Sequence, residues 1–204
     1  MLSPIIDITE YYLPLDLSQV FGDNKDSALE IGSGDGSFLI EMAKNKADWN
    51  FIGIEIKGTR IKKAVKRAEM EKVKNVKFLQ MDARIAVEEV FKPNLLSIVY
   101  INFPDPWPKD RHKKHRIINN LFLTRLSKIM KYKASLEIVS DHKDYIDQIL
   151  SVFNEIGYFK NLLSPDSHTS SVSNRPLTKY ESEYNKQGRV IYYLSLFKEN
   201  TDPL

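Results

Sequence analysis

The chain reads as an α/β fold, a mostly parallel sheet with helices on both faces, and three observations predict it. Short apolar runs alternate with longer segments of helical period along most of the sequence, which is the pattern of successive strand–helix–strand units. The first of these runs ends in a glycine-rich turn that opens a helix. A later run, 95–101, is apolar but for Ser97, as suits a parallel strand buried on both faces.

The elements follow in order. Residues 28–31 form a short strand, and 37–46 a helix with Phe38, Leu39, Met42 and Ala43 at helical spacing. A second strand spans 50–54. The helix at 58–72 carries Ile61, Ala64, Val65 and Ala68 on one stripe. Strand 76–79, helix 84–91 and strand 95–101 come next, then helix 117–130, strand 136–140 and helix 143–156. The end differs: 158–163 and 190–197 read as two strands joined by a polar connection, a terminal hairpin on the parallel sheet. Within that connection Thr178 and Glu181 have capping-box spacing, so a short helix begins there. The serine-rich stretch 164–173, with Pro165 and Asp166, reads as a mobile loop. Residues 1–27 have weak periodicity and read as an arm of uncertain structure, leaving 28–204 as the domain proper.

Composition narrows the function classes. A chain of 204 residues suits one domain, and 42% hydrophobic residues suffice for a full core. No apolar run reaches the roughly eighteen residues of a membrane span, and the first ten residues lack a basic segment followed by an apolar run, so no secretory signal is expected. Cysteine is absent. That excludes disulfides, thiolate metal sites and cysteine nucleophiles together, and fits a reducing cytoplasm. His112, His115, His142 and His168 have no metal-ligand spacing, so no metal is expected. The net charge of +3 permits nucleic-acid binding without arguing for it; local clustering decides.

The glycine turn is the first informative segment: Glu30, Ile31, Gly32, Ser33, Gly34, Asp35, Gly36. Glycines between a strand and a helix let backbone approach a ligand closely, at the carboxyl edge of the sheet. A dinucleotide fingerprint would need a third glycine at position 37, which is Ser37. The spacing G-x-G-x-G instead suits S-adenosylmethionine, which has no pyrophosphate. Carboxylates stand at successive strand ends. Glu30 faces the methionine end of such a ligand or an ordered water, Glu55 suits its ribose hydroxyls, and Asp82 its adenine amino group. Each also has a structural reading, as a helix cap or a solvated strand end; Asp82 before Ala83 is a plausible N-cap. Three at successive strand ends are harder to explain as caps.

The sharpest feature follows the fourth strand: Asn102, Phe103, Pro104, Asp105, Pro106, Trp107, Pro108, Lys109. Three prolines fix φ and remove backbone donors, so this is a stiff loop holding Asp105 and Trp107 at a ligand-binding edge. The bland alternative is a structural turn with Trp107 as a core plug. Directly after it, Lys109, Arg111, Lys113, Lys114 and Arg116 crowd a segment with one acid, Asp110. Helix starts favour acids, so the run reads as a phosphate-contacting surface rather than a solvated helix start. The cations of the second helix, Lys57, Arg60, Lys62, Lys63, Lys66 and Arg67, sit mostly opposite its apolar stripe and read as a solvated face. Asp141 ends the fifth strand and serves either the same edge or the next helix as a cap. The capping box accounts for Thr178 but not for Arg175 or Lys179.

These motifs together resemble the tRNA (guanine-N7-)-methyltransferases, from about residue 28 to the last strand. The resemblance rests on the glycine turn, on Gly53, Ile54 and Glu55, on Asp82, and on Thr178, Lys179, Tyr180 and Glu181. It rests most on the Phe-Pro-Asp-Pro-Trp loop and its basic tail. It implies a Rossmann-like class I methyltransferase fold: a mostly parallel seven-stranded sheet with an antiparallel terminal strand. It implies S-adenosyl-L-methionine as cofactor, contacted by Glu30, Gly32, Gly34, Gly36, Glu55, Asp82 and Asp105, with Asp105 also catalytic. It places Lys109, Asp141 and Thr178 to Glu181 on the substrate side, with a guanine in the tRNA variable loop, expected at position 46, as acceptor. Arg111, Lys113, Lys114 and Arg116 are the expected phosphate contacts. The family's basic run continues with two arginines where this chain has His115 and Arg116.

Guanine N7 is a lone-pair nucleophile without a proton, so methyl transfer to it needs alignment and charge stabilisation rather than a general base. A fixed carboxylate meets both needs, since it also accepts from guanine N1–H and the exocyclic amine. Three rivals remain. A methyltransferase for proteins or small molecules leaves the basic run unexplained. A non-catalytic RNA-binding module would not need every acidic strand end. An NAD-dependent oxidoreductase is disfavoured by Ser37. Methylation of another RNA stays open, as does the oligomeric state, monomer or homodimer.

Overall fold

The computed structural model describes residues 3–162, 169 and 175–199. Seven strands form one sheet: β1 (Asp26–Ile31), β2 (Trp49–Glu55), β3 (Val76–Gln80), β4 (Leu96–Asn102), β5 (Met130–Ser140), β6 (Phe159–Asn161) and β7 (Tyr192–Lys198), in the order β3-β2-β1-β4-β5-β7-β6. All pairings from β3 through β5 are parallel, and β7 runs antiparallel to both neighbours. The expected terminal hairpin is present as β6 and β7. Its second strand, β7, lies between β5 and β6, which leaves β6 at the edge.

Side-chain alternation sends each strand to two cores. Ala28, Phe51, Phe78 and Tyr100 face α2 (Ser37–Asn45) and α3 (Gly58–Met70), where Phe38, Leu39, Ile61 and Ala64 close over them. Leu29, Ile52, Leu79 and Val99 face the opposite layer, with Leu126 of α5 (Asn120–Ile129) and Ile146 and Ile149 of α6 (Lys143–Ile156). The helices therefore lie on both faces, as the apolar stripes predict.

Three boundaries depart from expectation. The segment at 84–91 is a short α4 (Ala83–Ile85), capped by Asp82, that widens into a π-turn at Ala86–Val90. Helix α5 starts only at Asn120, because Asn119 caps it by accepting from Phe122 N; Ile118 is buried outside the helix, its N–H bonded to the Tyr145 hydroxyl. Strand β5 begins six residues early, at Met130. Its first part is Lys131, Tyr132, Lys133, which carries too little apolar character to read as a strand.

Residues 3–25 are folded against this sheet. Pro4 O accepts from Phe78 N at 2.7 Å and Ile6 N donates to Phe78 O at 2.8 Å, so the chain covers the exposed edge of β3. Such cover prevents edge-to-edge association. A 3-10 turn (Ile8–Glu10) and α1 (Leu17–Phe21) follow, capped by Asp7 and Asp16. Ile6, Leu15, Leu17 and Val20 are buried, about 1.5–3 kcal/mol each. The serine-rich stretch expected to be mobile lies outside the described residues except Thr169, which bridges to Tyr193. No helix among the described residues is long and apolar enough to cross a membrane.

Candidate active site

The strand order reverses between β1 and β4, and a crevice at such a switch point is where α/β sheets bind ligands. The glycine turn occupies it. Gly32, Gly34 and Gly36 all have left-handed φ, at +76°, +58° and +72°. A Cβ on Gly32 or Gly34 would meet nothing within 4 Å, so both present bare backbone to open space. Gly36 is different: a Cβ there would lie 2.7 Å from the Phe78 ring and 2.8 Å from Ala64. It lets the start of α2 press onto β3 and α3. Gly53 in β2 has the same use. Its absent Cβ would strike Ser33 Oγ at 2.7 Å.

Glu30, at the end of β1, is fully buried, and burial pushes its carboxyl up to about 8 against the pull of the Asn102 hydrogen bond and the Arg175 charge. Its Oε1 accepts from Asn102 Nδ2 at 2.9 Å, and its Oε2 has no partner among the described residues. Glu55 Oε2 accepts from Gly34 N at 3.1 Å and Oε1 from Lys57 N at 2.9 Å, with Arg60 at 3.5 Å. It props the glycine turn while keeping lone pairs free. Asp82 caps α4 through Arg84 N at 2.7 Å, yet its side chain stays 31% exposed at the sheet edge.

The proline loop is pinned at both ends. Phe103 N donates to Val139 O at 2.8 Å, and the Phe103 ring packs on Tyr180 and Tyr184. Pro106 O accepts from Arg116 Nε at 2.7 Å. Phe103 and Trp107 hold left-handed φ of +49° and +41°, a conformation costing about 1–2 kcal/mol each that survives only where the surroundings over-determine it. Between them Asp105 is exposed and, among the described residues, makes no hydrogen bond or ion pair. Trp107 is no core plug: it is 37% exposed and packs against His112 and His115.

The basic run divides. It winds as a 3-10 turn, Asp110–His115. Lys109, Arg111 and Lys114 are exposed, or partly so, without an acidic partner among the described residues, and Lys113 pairs with Asp110 and Asp144, both at 3.1 Å. Arg116 corrects the expectation of a phosphate contact. It is 2% exposed, donates to Pro106 O, Gln148 and Asp144, and stacks 4.7 Å over the Tyr145 ring. It is the scaffold of the Asp105 loop. No local signal separates it from its neighbours in the run.

The C-terminal segment closes the crevice. Helix α7 (Lys179–Lys186) starts from the expected capping box, Thr178 with Glu181. Glu181 is wholly buried, accepting from Thr178 N, from the Tyr193 hydroxyl at 2.9 Å and from Arg175. Thr178 and Glu181 thus shape the segment, and burial with the Glu181 contact lifts the Tyr193 hydroxyl to about 12. Lys179 and Tyr180 are the exposed members. Lys179 pairs with Asp35, which Arg67 also meets at 3.2 Å. Partial burial opposes the Asp35 charge, but Lys179, Ser37 and Arg67 outweigh it and hold the carboxyl below its ordinary value. Asp141 does not cap α6; it pairs with Arg189. Sequence reasoning missed the parts played by Asn102, Arg116 and Gly53. A glycine inside an apolar strand does signal close backbone approach.

Solved structures with the same architecture include the antibiotic-resistance methyltransferase Kmr (TM-score 0.64, 15% identity, 93% of this chain and 94% of that one) and a SAM-dependent methyltransferase from Aquifex aeolicus (TM-score 0.59, 13% identity, 94% and 92%). At such identities the likeness establishes the fold, the Rossmann-like class I methyltransferase architecture. A family model described as "Putative methyltransferase" matches residues 24–194. The tRNA (guanine-N(7)-)-methyltransferase of Bacillus subtilis is 35% identical over 85% of this chain and 81% of its own length. That of Thermotoga maritima is 34% identical over 92% of this chain, which spans 61% of that longer relative. Identity of this order over most of the chain, with a family model spanning residues 24–194, carries one conclusion: the chain belongs to the tRNA (guanine-N7-)-methyltransferase family.

Proposed function

We propose that this chain transfers the methyl group of S-adenosylmethionine to N7 of a guanine in tRNA, position 46 of the variable loop, yielding 7-methylguanosine and S-adenosylhomocysteine. The observation that carries the reading is the pairing of two unlike carboxylates at one sheet edge. Among the described residues, Glu30 is buried with one oxygen unpartnered, and Asp105 is exposed without a hydrogen bond or ion pair on a pinned loop.

The residues fit the donor. The free Glu30 oxygen suits its ammonium group, the bare backbone of Gly32 and Gly34 leaves room for its chain, and Glu55 and Asp82 stand at successive strand ends for ribose and adenine. Gly36 acts on the donor site only through packing. When bound, the donor supplies an electrophilic methyl group on a sulfonium. Asp105 orients the guanine through N1–H and the exocyclic amine and offsets positive charge that develops on the ring. No side chain has to remove a proton. Lys109, Lys179 and Tyr180 meet the RNA nearby, while Thr178, Glu181 and Asp141 hold that surface in shape. Arg111, Lys113 and Lys114 contact phosphates, a sequence-independent and salt-sensitive term. The cytoplasm is the compartment where such a substrate and a cysteine-free chain coincide.

The test is a tRNA transcript incubated with donor carrying a labelled methyl. Label in 7-methylguanosine from the position-46 fragment, and its absence from a transcript with adenine there, is the expected result. Label in another base or another position contradicts the assignment.

A further inference from the structure

We infer that Arg175 is a positioning residue for methyl transfer, which fixes the Asn102 amide so that its NH2 faces Glu30 and so joins the RNA-facing segment to the donor site. The inference rests on the reading of Glu30 as the donor's carboxylate.

The contacts form one chain across three segments. Glu30 is the penultimate residue of β1 and Asn102 the last of β4, the strand beside it. Arg175 comes from the segment before α7. Its guanidinium donates to Asn102 Oδ1 at 3.2 Å, and Asn102 Nδ2 donates to Glu30 Oε1 at 2.9 Å. An amide has one accepting and one donating end, whereas a guanidinium only donates. The Arg175 contact therefore settles which end of Asn102 turns to Glu30. With the amide reversed, its oxygen would face the carboxylate and repel it.

Arg175 is itself immobilised. Its side chain is 4% exposed and paired with wholly buried Glu181. Its Cζ lies 4.8 Å from the centre of the Phe38 ring and 5.8 Å from that of Tyr193. Glu181 is the third residue of α7 and closes the capping box with Thr178. The first turn of α7, which exposes Lys179 and Tyr180, is thus joined rigidly to the group that orients Asn102. A cation in this place also favours the charged form of a carboxylate that burial otherwise keeps protonated; the Arg175 charge acts on Glu30 in that sense. Buried polar chains of this kind hold one arrangement only when every link is made.

The experiment is calorimetric titration of the full chain with S-adenosylhomocysteine between pH 6.5 and 9. The proteins are wild type, Glu30→Gln, Arg175→Met, Asn102→Ala and the Arg175→Met/Asn102→Ala pair, with thermal melts alongside. Arg175→Met is expected to weaken binding about tenfold at pH 7 and to move the pH at which affinity rises upward by roughly one unit. In the Asn102→Ala background the same change is expected to cost less than about threefold, because the link is already broken. A merely structural arginine would lower the melting temperature and leave the pH profile in place. Should Arg175→Met not fold, Arg175→Lys replaces it, keeping the charge and losing the fork; it is expected to weaken binding without the pH displacement. Wild-type affinity and profile in the folded variant overturn the inference. If wild type itself fails to bind, or Glu30→Gln binds as well as wild type, it is the donor-site reading that fails.

Discussion

Lys179, in the first turn of α7, reaches back across 144 residues to the carboxylate of Asp35 in the glycine turn. The pair joins the capping-box segment to the glycine turn, with Arg67 of α3 as a second cation on the same carboxylate. Lys179 is 62% exposed and Asp35 22%. Exposure of that degree limits the stabilisation to less than about 1 kcal/mol, so its use is registration of two segments.

Asp35→Asn should therefore cost little stability at neutral pH and more in tRNA turnover. Because the folded-state carboxyl lies below its ordinary value, its contribution is present above about pH 4 and fades as pH falls further. Thermal melts from pH 3 to 7 should show wild type and variant converging at the acid end. A variant with unaltered tRNA kinetics would leave the pair without a registering role.

Glu30 predicts the opposite slope. Its carboxyl is raised by burial from 4.5 to about 8. Between those values the folded chain keeps a proton that the unfolded chain has released, so the group's contribution is full below the lower value and lost as pH rises through the upper. Glu30→Gln should melt higher than wild type at pH 8 and flatten the dependence. On the proposal that Glu30 meets the donor's ammonium group, binding selects the ionised carboxylate, and titrations at pH 7 in buffers of differing ionisation heat should reveal proton release in wild type and none in Glu30→Gln.

The glycines separate packing from binding. Gly36→Ala drives a methyl into the Phe78 ring and Ala64, and overpacking of that kind costs about 1–3 kcal/mol. Gly34→Ala meets open space, so backbone strain of about 1 kcal/mol is expected, with the larger loss in donor affinity. Chemical denaturation and donor titration on both variants give the comparison; equal affinity losses would deny that the space over Gly34 is the donor's.

The basic run should split the same way. Neutralising Lys109, Arg111 and Lys114 should reduce the slope of log affinity for tRNA against log salt by about 2–3 and leave the melt alone. Arg116→Ala leaves Pro106 O and Gln148 without their donor and empties the space beside Tyr145, and a buried acceptor left unsatisfied costs about 1–3 kcal/mol. An unchanged salt slope in the triple variant would move the RNA surface elsewhere.

Periodicity made most of the fold legible. Helix α6 was bounded correctly at both ends because its buried stripe is uninterrupted. The first part of β5 stayed hidden, since Lys131 and Lys133 bear no apolar signal, and the arm did too, because its cover over β3 is made by backbone bonds at Pro4 and Ile6. At the site, strand ends could be read from the sequence and side-chain partners could not. Arg116 and Arg175 look like surface cations until Pro106 and Asn102 arrive from other segments to meet them.

The central claim is that an exposed Asp105 on a pinned loop presents guanine to the donor. Single-turnover transfer of a labelled methyl to tRNA, read by nucleoside mass spectrometry, tests it most directly in Asp105→Ala. Asp105 is exposed, so the fold and melting temperature should be retained. The account predicts that 7-methylguanosine formation falls by about a hundredfold or more. A variant forming it at the wild-type rate would contradict the account.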